Sequence, residues 1–390
     1  MTISLMVLAV LLPYSLGVIG PAVTRDLDIA DSDYGLITGA VYLVAGLSAG
    51  WFGRISDRLD LRLALVAAFA VCAVSFASFS AVTALVPAVL LAALGGCVLA
   101  VSNPISNLLV VRAFPPRHWG TLIGWKQSGV PIAAILSGLA VAPAAQLMGW
   151  RETLLAMTVI PVVLLALSLK RVVSAPVPAP TPAVAARGLT PSRPLKLGFL
   201  VIFSLLMGAG NGIITSYYVL YARSEIGAST MQAAAIVAVL GVVGTVVRVL
   251  GARILAGWTL EGVLASLALV GMLSSACVIA APLAGVWLMY LGAVLAGAGA
   301  LGWLAFAMMA LAIRSPSSEL GRASGRVSQA FYIGLLAGPP LAGATLALTD
   351  DYTTMWLMQG VFYALAATVS LIARARSKFS LDMADANTHP

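Results

Sequence analysis

Apolar runs of roughly 20 residues recur along the whole chain, each long enough to cross a hydrocarbon core of about 30 Å as a helix. Twelve can be drawn, at about 3–23, 34–53, 62–81, 85–111, 120–145, 153–170, 197–221, 230–250, 261–281, 284–312, 322–347 and 354–373. Runs of this length are helices and not the shorter strands of a membrane barrel. Of the 390 residues 61% are hydrophobic and only 9% charged, against roughly a quarter charged in an ordinary soluble domain. The chain is expected to be an all-α membrane protein. Residues 3–23 have no basic leader and are too long for the core of a signal peptide, so they form the first span.

Between the sixth and seventh runs stands SAPVPAPTPAVAARGLTPSRP, rich in Pro and Ala, which reads as a solvated linker without a core of its own. It divides the chain into a six-helix bundle over residues 1–170, a linker over 171–196, and a second six-helix bundle with a short tail over 197–390. The halves also repeat. A slide of about 200 residues sets GTLIGWKQSG (120–129) over GRASGRVSQA (321–330), keeping the Gly spacing, and a similar slide sets Gly46 over Gly244 and Gly53 over Gly251. Two pseudo-symmetric six-helix bundles with a midplane cavity between them follow from such a repeat. Most of the glycines then serve close packing of membrane helices.

Seventeen of the 22 Lys and Arg residues fall on one side of these spans, and only Arg25, Arg151 and Arg223 on the other. The positive-inside rule puts both termini in the cytoplasm of a protein of the inner (plasma) membrane. The scattered cations do not build a basic, aromatic-interleaved surface, so nucleic acid is not a partner despite the net charge of +8. Cys72, Cys97 and Cys277 lie in separate apolar runs, which gives neither a disulfide framework nor a metal-ligand set. Neither a cofactor nor a metal is expected, nor is an enzyme, because no nucleophile, base and orienting acid can be assembled within the membrane. The partners expected are the bilayer and a small molecule, and the chain is expected to act as a monomer.

Two cations remain inside spans, Lys126 in the fifth and Arg248 in the eighth. Lys126 lies about 9 Å inside the start of its span at 1.5 Å per residue. A charge at that depth costs at least a few kcal/mol unless it meets water, a counter-charge or a ligand. All 14 Asp and Glu fall in loops, span edges or tails, His118 in a loop and His389 in the tail. Bland readings stand beside the functional one: Lys126 could snorkel its stem to the interface, and Arg248 could bond main-chain carbonyls near the end of its span.

At the end of the second span GRISDRLDLR, Gly53 to Arg62, resembles the loop signature of the major facilitator superfamily. Gly53, Asp57, Arg58 and Arg62 match it, and Asp60 stands where a second glycine is usual. The equivalent loop of the second half, GARILAGW, lacks the Asp-Arg pair. The fourth span, LLAALGGCVLA, lacks the arginine often found there in proton-driven drug exporters. The resemblance implies that Asp57 lies near the start of the eleventh span, where unpaired N–H groups favour an anion, and that with Arg58 and Arg112 it latches the cytoplasmic side shut. It also implies that the fifth and eighth spans face each other, so that Lys126 and Arg248 line one cavity built to receive an anion. Arg248 followed by a glycine three residues on is similar to the eighth-span arginine of oxalate/formate and monocarboxylate carriers.

Asn103 and Asn107 of the fourth span, Gln127 of the fifth, Asn211, Tyr217 and Tyr218 of the seventh, Trp303 of the tenth, and Gln329 and Tyr332 of the eleventh lie at comparable depth. They complete the candidate site, or else bridge helices and pack. The function expected is transport of a small organic anion by alternating access, by exchange or with a proton. The alternatives are a multidrug or cation exporter of the same fold, which would need an intramembrane carboxylate, and a membrane receptor that transports nothing.

Overall fold

The computed structural model describes residues 1–29, 31–174, 197–254, 259–316 and 318–386. The linker core, Arg187, Arg193 and Lys196 included, and His389 lie outside the described residues, as does the second half of GARILAGW. The protein is all-α. Among the described residues twelve helical stretches are long and apolar enough to cross a membrane, matching the runs drawn above one for one.

Several of these spans are irregular, the fifth, tenth and eleventh among them. The fifth runs as Trp119–Gln127, breaks at Ser128, resumes as Gly129–Leu136, and widens into a π-turn at Ser137–Val141 before ending in Ala142–Met148. Pro131 has no N–H to give the carbonyl of Gln127 four residues earlier, which accounts for a break directly after Lys126 and Gln127. The tenth span, Val286–Ala296 and Trp303–Arg314, carries a π-turn of its own at Gly297–Leu301. The eleventh, Leu320–Thr349, is one helix that contains Pro339 and Pro340.

Contacts divide the chain into two compact units, Met1–Leu195 with Met308–Ile333, and Lys196–Ala307 with Gly334–Pro390. In the first, the second span (Asp31–Ser56) lies along the fourth (Leu85–Ala113), and Phe69, Phe76 and Phe79 of the third are fully buried. In the second, the ninth span (Leu260–Ala284) lies along the twelfth (Tyr352–Ala386) around Phe203, Trp303, Trp356 and Tyr363. Close backbone approach replaces hydrophobic driving force between such helices. Gly53 shows it: a Cβ there would stand 2.5 Å from Gly321 O and 2.8 Å from Gly325 Cα. Gly46 and Gly244, superposed by the internal repeat, both lie at helix contacts, against Ile333 and Leu301 respectively.

Candidate functional site

Asp57 follows directly on the second span, and its carboxylate closes on the first turn of the eleventh. Oδ1 accepts the backbone N–H of Gly321 at 2.7 Å and Oδ2 that of Arg322 at 2.9 Å. Two otherwise orphan donors at a helix start are thereby satisfied by an anion. Partial burial raises the carboxyl above its ordinary value, opposed by these two backbone bonds and by the charges of Arg112 and Arg322. The Arg112 guanidinium reaches the main-chain oxygen of Asp57 at 3.3 Å, Arg322 pairs with Glu319 at 3.0 Å, and Arg58 is exposed. Asp60, in the place of the signature glycine, caps the third span (Leu61–Ser80) by accepting from Arg62 N at 2.8 Å.

Deeper in the same unit, Lys126 has no exposed surface. Its Nζ donates to Ser106 Oγ at 2.9 Å and Asn103 Oδ1 at 3.2 Å, both neutral oxygens of the fourth span. The neighbouring Gln127, also buried, donates from Nε2 to the same Asn103 Oδ1 at 2.9 Å. The other end of the Asn103 amide donates from Nδ2 to Ser328 Oγ at 3.2 Å. One turn along, Asn107 Nδ2 donates to Ser324 Oγ at 2.8 Å and lies 3.2 Å from Met308 Sδ. One turn the other way, Tyr332 donates its hydroxyl proton to Leu99 O at 3.2 Å.

These three contacts form a ladder. Leu99, Asn103 and Asn107 descend the fourth span in steps of four while Tyr332, Ser328 and Ser324 ascend the eleventh in steps of four. That is the register of two antiparallel helices packed along their i, i+4 rows. Gln329, partly buried, lies against Gly50 of the second span, where a Cβ would strike its amide.

The remaining candidates belong to the second unit, and several converge on the π-turn of the tenth span. A π-turn frees carbonyls from the regular helical ladder. Asn211 Nδ2 donates to Ala300 O at 2.8 Å, and Arg248 Nε to Leu301 O at 2.9 Å. Tyr363 donates to Asn211 Oδ1 at 3.2 Å, and Trp303 stands edge-on to Phe203 at 5.3 Å. Tyr218 is buried with its hydroxyl on Met289 O at 3.3 Å, whereas Tyr217, partly exposed, reaches Pro339 O at 3.2 Å. The two tyrosines do point apart, as adjacent residues of a helix must.

Sequence reasoning missed Ser106, Ser324 and Ser328, which supply the partners of Lys126, Asn107 and Asn103. The signal available was spacing: Ser102 and Ser106, Asn103 and Asn107, and Ser324 and Ser328 each recur at four residues.

A twelve-span all-α fold, an Asp57 carboxylate on the start of the eleventh span and a buried polar seam around an intramembrane lysine define a polytopic carrier. The chain belongs to the major facilitator superfamily: the family model described as Major Facilitator Superfamily matches residues 2–273. No curated protein sequence matches the chain significantly. Among solved structures, a human organic anion transporter aligns with a TM-score of 0.74 at 14% identity, covering 95% of this chain and 98% of that one. A proton:xylose symporter bound to a bromodeoxyglucose aligns at 0.73 and 15% identity, covering 94% of each chain. The E. coli fucose:proton symporter aligns at 0.69 and 18% identity, covering 95% of this chain and 97% of that one. At these identities the likeness is one of fold.

Proposed function

We propose that the protein moves a small organic anion across the membrane by alternating access, with Lys126 as the principal partner of the anion. One observation supports this most: a wholly buried ammonium whose hydrogen bonds go to two neutral oxygens, Asn103 Oδ1 and Ser106 Oγ. An ammonium has three donors, and a buried charge without a counter-charge is costly until an anion joins it. Gln127, Asn103, Asn107, Gln329 and Tyr332 would supply further hydrogen bonds from the same unit. Arg248 is the second cation within the spans; its Nε bond to Leu301 O fixes the plane of the guanidinium, a fork suited to carboxylate. Asn211, Tyr217, Tyr218 and Trp303 are the candidates that accompany it.

On this reading the termini are cytoplasmic in the inner membrane, the protein works as a monomer, and Asp57 with Gly53, Arg58, Arg62 and Arg112 forms the cytoplasmic latch. The anion is exchanged for another or accompanied by a proton. One of the similar structures is that of an organic anion transporter and others are sugar symporters, so neutral sugars belong in the test beside anions.

The test is a melting screen of purified protein against carboxylates, sulfonates, nucleosides, sugars and cationic drugs, since a ligand stabilises the state it binds. Only anions are expected to raise the melting temperature, with the rise lost in Lys126→Ala and reduced in Arg248→Ala. Stabilisation by cationic drugs or sugars that survives Lys126→Ala would overturn the assignment, and uptake into proteoliposomes separates a carrier from a silent receptor.

A further inference from the structure

Asn103 occupies a position that transport chemistry alone does not require. Its Oδ1 accepts from both Lys126 Nζ and Gln127 Nε2, and its Nδ2 holds Ser328, the middle rung of the ladder between the fourth and eleventh spans. An ammonium can only donate, whereas the Gln127 amide can turn to offer either end, so Lys126 dictates which end of the Asn103 amide is the oxygen and therefore sends its N–H₂ end to Ser328. A cation on Oδ1 also polarises the amide and strengthens the bond that Nδ2 gives. The rungs above and below, Tyr332 to Leu99 and Asn107 to Ser324, have no bond to Lys126. Tyr332 also meets the side chains of Asn103 and Ser328, whereas among the described residues the rung of Asn107 and Ser324 stands apart from the lysine.

We propose that Asn103 is a positioning residue that couples the state of Lys126 to the closure of the fourth span on residues 320–333. When an anion draws the ammonium off Asn103 Oδ1, the amide loses its orientation, the Ser328 rung weakens and the ladder opens from its middle. The ligand half of this statement rests on the reading of Lys126 as the anion's partner; the wiring from Lys126 to Ser328 does not. The outer rungs set how firmly the ladder is closed in every state, and the middle rung sets how the closure answers to the ligand.

The experiment is a double-mutant cycle read by distance. Cys72, Cys97 and Cys277 are replaced by alanine, and spin labels are placed at Arg117→Cys and Ser318→Cys, both exposed positions just before the fifth and eleventh spans. The ratio of short-distance to long-distance populations in nanodiscs is the readout. Lys126→Met, which keeps the length of the side chain, and Ser328→Ala are each expected to lower that ratio about fivefold, in keeping with one intramembrane hydrogen bond, and the double variant no further. Ser324→Ala is the control: it loosens a rung not wired to the lysine, so its effect multiplies with that of Lys126→Met to about 25-fold. If Lys126→Met or Ser328→Ala does not fold, Asn103→Ala takes the place of the missing partner in the cycle.

A ratio unmoved by Lys126→Met, or effects of Lys126→Met and Ser328→Ala that multiply as the control does, overturns the coupling. In the ligand arm acetate, lactate and benzoate are the probes. A probe that stabilises the wild type is expected to lower its ratio and to leave that of Ser328→Ala unchanged while still raising that variant's melting temperature. A probe that shifts the ratio equally in both overturns the relay. Should no probe stabilise the wild type, the anion reading fails and the mutant cycle alone decides the wiring.

Discussion

The carboxylate of Asp57 accepts the backbone N–H groups of both Gly321 and Arg322, joining the end of the second span to the start of the eleventh across more than 260 residues of chain. Burial acts against the charge of this group and the two N–H donors act for it, and burial prevails, so the carboxyl is raised in the folded state. A raised carboxyl binds its proton more readily folded than unfolded, so its contribution to stability is greatest in acid and falls as pH rises through the folded value. The melting temperature of the wild type minus that of Asp57→Asn is therefore expected to fall as pH rises above the ordinary carboxyl range near pH 4. A difference that grows as pH rises would contradict the balance of burial and bonding given above.

Gly53 and Gly325 meet with no room for a side chain. A Cβ at Gly53 would lie 2.5 Å from Gly321 O, and one at Gly325 would lie 2.7 Å from Gly53 Cα, both opposed by backbone that cannot turn aside. Gly53→Ala and Gly325→Ala are each expected to cost about 1–3 kcal/mol of stability by forcing the helices apart. Thermal unfolding in detergent measures this; an alanine at either position without effect would show that the contact is looser than its geometry.

Asn211 holds the π-turn of the tenth span and is itself held by Tyr363. Asn211→Ala strands the carbonyl of Ala300 and the hydroxyl of Tyr363 together, at an expected cost of about 1–3 kcal/mol, while Tyr363→Phe removes one bond for about 0.5–1.5 kcal/mol. Because both act through one amide, the double variant should lose less than the two losses combined. Denaturation of the three variants decides it, and full additivity would dissolve the network.

Asp60 departs from the loop signature, yet it caps the third span. Asp60→Ala is expected to cost about 1 kcal/mol and Asp60→Gly, which restores the family's usual residue, only a few tenths. Equal losses in the two variants, read by melting, would mean that the cap bond contributes nothing.

The number and place of the spans could be read from the chain, because burying some twenty apolar residues in lipid is a local requirement that each run meets for itself. The match of Gly53–Arg62 to a known loop, together with Lys126 and Arg248 as the cations within spans, was legible for the same reason: a charge in an apolar run is conspicuous without any knowledge of its neighbours. The partners of those charges were not. Ser106, Ser324 and Ser328 are small residues in apolar helices whose four-residue spacing names no partner, and they matter only because the fourth and eleventh spans pack antiparallel in one register. The π-turn that brings Ala300 and Leu301 to Asn211 and Arg248 lies in GAGAL, a run that reads equally well as plain close packing. Hydropathy acts along one helix at a time, so the sequence determined which segments enter the membrane. Hydrogen bonds between helices depend on facing, register and depth, which residues hundreds of positions apart fix together, and only the tertiary structure decided them.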